Sequence, residues 1–254
     1  MPARGPLETE FEHLLSLDNS KKILNKIVCR GVAFHLLSYY EEDCSHRARV
    51  AVDDNKDTVI IFDEHKCCTD SIDAFRNYIS KAIMVPIKEC NIKCLENEPW
   101  SAKTYDHLSK EAVSLFIQGF GNLMRQAAST GYEYFLIIGW NAEAAYGRGG
   151  ETRISLPSIP AVIMAHTHPS PYCYPSGPDI ESTAEFLSAG GLAELIFSTN
   201  CVSVIRLSKP LQEDDYWALI EIAKEVKKAK DDYSGYIRAI NRLNMLHTIV
   251  FEIM

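Results

Sequence analysis

No run of about 18 consecutive apolar residues occurs anywhere in the 254-residue chain, so no segment reads as a membrane-spanning helix. The stretch from Met1 to Glu12 also lacks the apolar core of a secretory signal, being interrupted by Arg4, Glu8 and Glu10. A cytoplasmic protein with no membrane partner is therefore expected. Basic charge is in short supply: 26 Lys and Arg stand against 34 Asp and Glu, a formal net charge of -8, which argues against broad electrostatic binding of nucleic acid. Internal repeats are absent too. What is present is 46% hydrophobic and 10% aromatic residues, enough for a substantial core, and a length that permits one large domain or two small ones at roughly 150 residues each.

Cysteine is not scarce. Cys29, Cys44, Cys67, Cys68, Cys90, Cys94, Cys173 and Cys201 are scattered over a chain long enough to fold without stapling, so reduced thiols are expected. Two alternatives stay open. Cys67 and Cys68 with Cys90 and Cys94 have spacings near those of a four-thiolate structural zinc site, and the even count permits disulfides if the source is a hyperthermophile.

The first hundred residues read as a small α/β domain of unknown role, residues 1–100. Leu7, Phe11, Leu14 and Leu15 recur at helical spacing, and Ile23, Leu24 and Ile27 form a second short apolar face after Asp18, Asn19 and Ser20. Arg49 to Val52 and Thr58 to Phe62 predict a hairpin around the turn formers Asp53 to Lys56. Ile72, Phe75, Ile79 and Ile83 predict a helix capped by Thr69 or Asp70 and stopped by Pro86. Residues 96–108 are polar, contain Pro99 and lack periodicity, which places a linker or domain boundary near residue 100.

The remainder, residues 101–254, reads as a sheet flanked by helices. From Ser109 as N-cap, Val113, Phe116, Ile117, Phe120, Met124 and Ala127 predict a long amphipathic helix ending at Gly131. A strand over Tyr132 to Ile138, a glycine-rich loop, and a buried strand from Ala161 to His168 follow. Ile180 to Leu187 is expected to be helical, Leu195 to Phe197 and Val202 to Leu207 extended, and Tyr216 to Lys230 an amphipathic helix with a solvated Glu and Lys face.

The chemistry concentrates in His166-Thr167-His168-Pro169-Ser170, followed by Pro175-Ser176-Gly177-Pro178-Asp179. Residues i and i+2 of a strand share a face, so His166 and His168 present two imidazoles to one point as the strand ends. Asp179 falls in the first turn of the next helix, from which its carboxylate can return to that point. Two imidazoles and a carboxylate suit zinc, and three protein ligands leave a fourth position for water. Each piece also has a plainer reading. Ser176 with Asp179 three residues on is a helix capping box, and a His pair can be ordinary hydrogen-bonded core histidines.

His-x-His-Pro followed by Ser-x-x-Asp resembles the signature of the JAMM (MPN+ or JAB-domain) metalloproteases, which include deubiquitinases and their prokaryotic relatives. The resemblance extends over residues 105–210, and His-Pro-Ser with Pro-Ser-x-x-Asp-Ile also resembles the RadC-type branch. It implies an α/β fold with a JAMM-like mixed sheet flanked by helices. It implies one catalytic zinc ion held by His166, His168 and Asp179, a glutamate on an upstream strand as general acid and base, and Ser176 as oxyanion stabiliser. The reaction class implied is zinc-dependent isopeptide or peptide hydrolysis, releasing a ubiquitin-like modifier from its conjugates through attack of a zinc-activated water on the carbonyl.

Glu133 is the glutamate chosen, because it follows the long helix and opens a hydrophobic strand, although only 33 residues separate it from His166. Glu143 and Glu151 compete, and a solvated strand end is the plainer reading of Glu133. Tyr172 and Tyr174 are expected to border the substrate tail, and Cys173 to be a bystander. The alternative function is a non-proteolytic, RadC-like or scaffold-like JAB module that binds a partner or acts on another substrate.

Overall fold

The computed structural model describes residues 6–43, 48–62, 68–82, 90–95, 101–149, 160–229 and 232–254. Leu7 and Phe11, one helical turn apart, bury the inner face of α1 (Pro6–Ser16). The short apolar face expected after it belongs to a 26-residue helix, α2 (Asp18–Asp43). Residues 27–34 of α2 are buried on every side, so no period of 3.6 betrays it in the sequence. The hairpin forms as expected. β1 (Arg49–Asp53) pairs antiparallel with β2 (Thr58–Phe62), and an unforeseen β3 (Asn91–Leu95) adds in parallel to β2. Between them lies α3 (Cys68–Ala82), with Phe75 and Ile79 buried. It begins at Cys68, which puts Thr69 and Asp70 inside its first turn rather than ahead of it; Ile83 and Pro86 lie outside the described residues.

Cap chemistry corrects the next boundary. The long helix α4 (Tyr105–Ala128) starts four residues before Ser109, because Thr104 is its N-cap and accepts the His107 N–H at 3.3 Å. Thus residues 105–108 are the first turn of α4 and not linker, and Lys103 bridges to Val50 of β1. Residues 96–100 lie outside the described set. Gly131 ends the connection with φ +84, a conformation in which a Cβ would be strained.

A second sheet follows, built from β4 (Tyr134–Gly139), β5 (Ala144–Arg148), β6 (Ala161–Thr167), β7 (Ala193–Phe197), β8 (Val202–Leu207) and β9 (Ile249–Ile253). Its order is β5-β4-β6-β7-β8-β9, with only β6 and β7 parallel. That parallel pair needs a crossover, supplied by α5 (Gly177–Ser188). β8 leads into α6 (Glu213–Lys228), α7 (Tyr233–Asn241) and a 3-10 turn before β9. β5, α7 and β9 were not foreseen. β5 contains Gly147, where a Cβ would stand 2.7 Å from the Phe135 ring, and β9 is anchored by buried Asp215, which accepts the His247 and Thr248 N–H groups.

Helices cover both faces of this sheet, a mixed α/β arrangement of seven helices and two sheets among the described residues. α4 contributes Phe116, Phe120 and Met124 to one face, and α2 lies along α4, with Gly31 against Trp140, where a Cβ would stand only 2.8 Å from the ring. On the other face Phe186 of α5 packs on Ile137, Ala161 and Met164. The apolar interior runs unbroken across residue 100, whereas the two sheets divide near it.

The expectation of reduced thiols is corrected. Cys29 is bonded to Cys90 and Cys173 to Cys201, with Cα atoms 5.4 and 5.7 Å apart. Cys94 is disulfide-bonded as well, so neither Cys90 nor Cys94 is free to be a thiolate ligand; Cys67 lies outside the described residues.

Candidate metal centre

β6 is buried along its whole length and alternates its side chains, so Met164 and His166 face α5 while Thr167 faces away. Thr167 accepts the Tyr134 N–H at 2.8 Å, locking β6 to the start of β4. The ladder continues one residue past the strand, where the His168 N–H donates to the Phe197 carbonyl at 2.7 Å. His168 is thereby held on the same face as His166.

The loop that follows is tied down at three places. Cys173 is bonded to Cys201 in the β7–β8 turn, Ser198 donates to the Pro171 carbonyl at 3.3 Å, and Tyr236 of α7 donates to the Pro175 carbonyl at 2.8 Å. Cys173 therefore ties the site's loop in place and is more than a bystander. Tyr172 is exposed and Tyr174 stacks edge-on against Tyr236. Burial and the nearby Asp179 carboxylate push the Tyr236 hydroxyl well above its ordinary pKa, so it stays a donor.

Ser176 then caps α5. Its Oγ accepts the Asp179 N–H at 3.3 Å, and Asp179 Oδ2 accepts the Ser176 N–H at 2.6 Å, a complete capping box. Gly177 is required at N1, since a Cβ there would meet the Ala223 carbonyl of α6 at 2.6 Å.

These constraints bring three donors to one point. His166 Nε2 and His168 Nε2 are 3.2 Å apart, and the Asp179 oxygens lie 3.4 Å from the first and 3.2 Å from the second. Tetrahedral coordination with bonds of about 2.0–2.1 Å sets ligand atoms about 3.3–3.4 Å apart, so the spacing and the donor chemistry both fit a metal ion. The group can hold one. Two ring nitrogens and a carboxylate aimed at one another need a metal ion or a proton among them, since their lone pairs otherwise repel. Burial alone would lower the His166 pKa, but the Asp179 and Glu194 carboxylates outweigh it and raise it to about 10. Burial likewise would raise Asp179, and the two imidazoles hold it far below the usual carboxylate range. The side chain of His166 is 3% exposed, those of His168 and Asp179 17%, so the centre opens to solvent on one side.

Strand register sorts the glutamates. Phe135 pairs with His166 across β4 and β6, and continuing that register by two residues sets Glu133 opposite His168, on the face of the centre. Burial raises the Glu133 pKa, partly offset by the two histidines. Glu143 sits beyond the other end of β4, where it accepts the Asn141 side-chain N–H at 2.7 Å. Glu151 lies outside the described residues.

Two residues behind the centre escaped the sequence reading. Glu194 of β7 is fully buried with Oε1 3.1 Å from His166 Nδ1, and Thr183 of α5 touches its other oxygen. The signal was there: a carboxylate inside the apolar run Ala-Glu-Leu-Ile-Phe needs a buried partner. Tyr236 had no such signal, because α7 reaches the loop only through the tertiary fold. No protein-family model, curated protein or solved structure matches the chain.

Proposed function

We propose that this chain is a zinc-dependent hydrolase of the JAMM type, cleaving an isopeptide or peptide bond, with conjugates of a ubiquitin-like modifier as substrate. The observation that carries the reading is the convergence of His166 Nε2, His168 Nε2 and the Asp179 carboxylate within 3.2–3.4 Å, with Glu133 at the facing register position. The order in which α4, β4, β6 and α5 supply their residues also agrees with the resemblance carried by His-x-His-Pro and Ser-x-x-Asp.

A zinc ion held by His166, His168 and Asp179 supplies Lewis-acid chemistry, polarising a carbonyl and bringing the pKa of a water toward 7. The chain's own groups do the rest. The Glu133 carboxylate, raised by burial toward the working pH, accepts the proton of the attacking water and hands it to the departing amine. Ser176 uses its oxygen, not its hydroxyl proton, in the α5 cap, which leaves the O–H to donate to the oxyanion that develops. The buried disulfide-tied wall at Cys173 and the partly exposed His168 edge leave one side for a substrate tail to enter.

The test is metal analysis joined to hydrolysis. Purified protein is expected to carry one zinc per chain, lost in His166→Ala and His168→Ala, and to cleave isopeptide-linked conjugates of a ubiquitin-like modifier. Glu133→Gln should keep the metal and lose hydrolysis by at least about 100-fold, the lower range for a general base. Absence of zinc from the wild type, or full activity in Glu133→Gln, overturns the assignment. Stoichiometric zinc with no cleavage of any conjugate or peptide library moves the chain to a non-proteolytic JAB-like binding module.

A further inference from the structure

We infer that Glu194, held by Thr183, is a positioning residue that fixes the metal-binding tautomer of His166. The inference rests on the metal-centre reading above, but on no particular substrate. Glu194 is 1% exposed, the second residue of β7, a strand whose five residues are all buried. A carboxylate in such a place is strongly destabilising unless a partner compensates it. The parallel register sets Glu194 beside Met164, two residues before His166, so its side chain lies on the centre's face of the sheet.

From there Oε1 reaches to 3.1 Å from His166 Nδ1. The contact does not meet hydrogen-bond geometry as it stands, and both atoms are buried with no hydrogen-bond partner, which leaves them only each other to pair with. Nδ1–H donating to this oxygen leaves the Nε2 lone pair directed at His168 and Asp179; the opposite tautomer would set a ring lone pair against a carboxylate in a dry interior. Histidine ligands of metal sites commonly have their second nitrogen oriented in this way.

The other carboxylate oxygen is tied to the helix that supplies the third donor. The Thr183 hydroxyl contacts Glu194 Oε2 and lies 2.8 Å from the Asp179 carbonyl, one α5 turn before it. Hence β6, β7 and α5 are locked together at the level of the centre. The ring of His166 and the backbone of Asp179 are set by the same buried carboxylate.

The experiment compares wild type, Glu194→Gln, Glu194→Ala and Thr183→Val for affinity toward Zn2+ and Co2+ by chelator competition, alongside thermal melts of the metal-free proteins. Glu194→Gln preserves volume and is expected to melt near the wild type while binding metal about 10- to 100-fold more weakly, the range for such partners. Glu194→Ala should lose more affinity than Glu194→Gln, and Thr183→Val less. Nitrogen-15 NMR of the zinc-loaded wild type should report His166 protonated on Nδ1 with Nε2 unprotonated, a readout that packing alone would not move and that needs no variant to fold. Wild-type affinity in Glu194→Gln and Glu194→Ala, or a proton on Nε2 with metal on Nδ1, overturns the inference while leaving the centre intact. A wild type that takes up neither Zn2+ nor Co2+ overturns the centre itself, and this inference with it.

Discussion

The proposed role of Ser176 asks two things of different atoms. Its oxygen caps α5 by accepting the Asp179 N–H, and the cap does not use its hydroxyl proton. Ser176→Ala should therefore separate two effects. Loss of the cap costs about 1 kcal/mol of stability, readable as a small drop in a denaturation midpoint. Loss of an oxyanion donor lowers kcat by about 100- to 1,000-fold with KM little changed. A variant that loses stability but keeps kcat confines Ser176 to the cap. The capping reading and the catalytic reading of Ser-x-x-Asp are compatible, since Asp179 turns its oxygens toward both Ser176 N and the two histidines. Residue identity was enough to nominate His166, His168 and Asp179, because strand alternation and helix capping are local rules. Identity was not enough for Glu133, since Glu143 is as acidic and as near in sequence; only the β4–β6 register puts one of them at the histidine end of the sheet.

At the scale of elements, α2 is held against the six-stranded sheet and its loops through His35, whose Nε2 lies 2.8 Å from the Gly190 carbonyl, and whose ring meets Trp140 edge-on. Burial lowers the His35 pKa below 6.5, outweighing the opposing pull of the carbonyl. The folded state therefore resists a proton that the unfolded chain accepts, and the unfolded state binds more protons below pH 6.5. Stability should be fully present above that pH and fall as the pH drops below it. Urea titrations of wild type and His35→Gln between pH 7.5 and 5 check this: the difference between them should narrow toward acid, and parallel curves would remove His35 from the pH response. The full length of α2 is not legible in the sequence for a physical reason. Residues 27–34 are buried on every side, so this part of the helix has no polar face to set a period of 3.6.

For the whole molecule, the disulfides bind distant stretches: Cys29 in α2 to Cys90 before β3, and Cys173 in the site loop to Cys201 between β7 and β8. The first closes a separation of 61 residues, and removing it as Cys29→Ala with Cys90→Ala should cost about 2–4 kcal/mol, seen as a lower melting temperature. Alkylation of the denatured, unreduced protein followed by mass spectrometry checks the pairing itself; labelled Cys29 and Cys90 would dismiss it. Eight cysteines in an unstapled length suggested thiols, since pairing depends on which residues the fold makes neighbours and not on their number. The same division holds throughout. Local patterns in the chain were enough to specify the three candidate donors, the strand that aligns two imidazoles and the helix turn that carries the carboxylate, because each follows from contacts within a few residues. Folding in three dimensions was needed to bring the donors within 3.2–3.4 Å, to set Glu133 opposite His168, to place Glu194 behind His166, and to pair the cysteines. Those outcomes depend on strand register and on long-range packing, which no local pattern encodes.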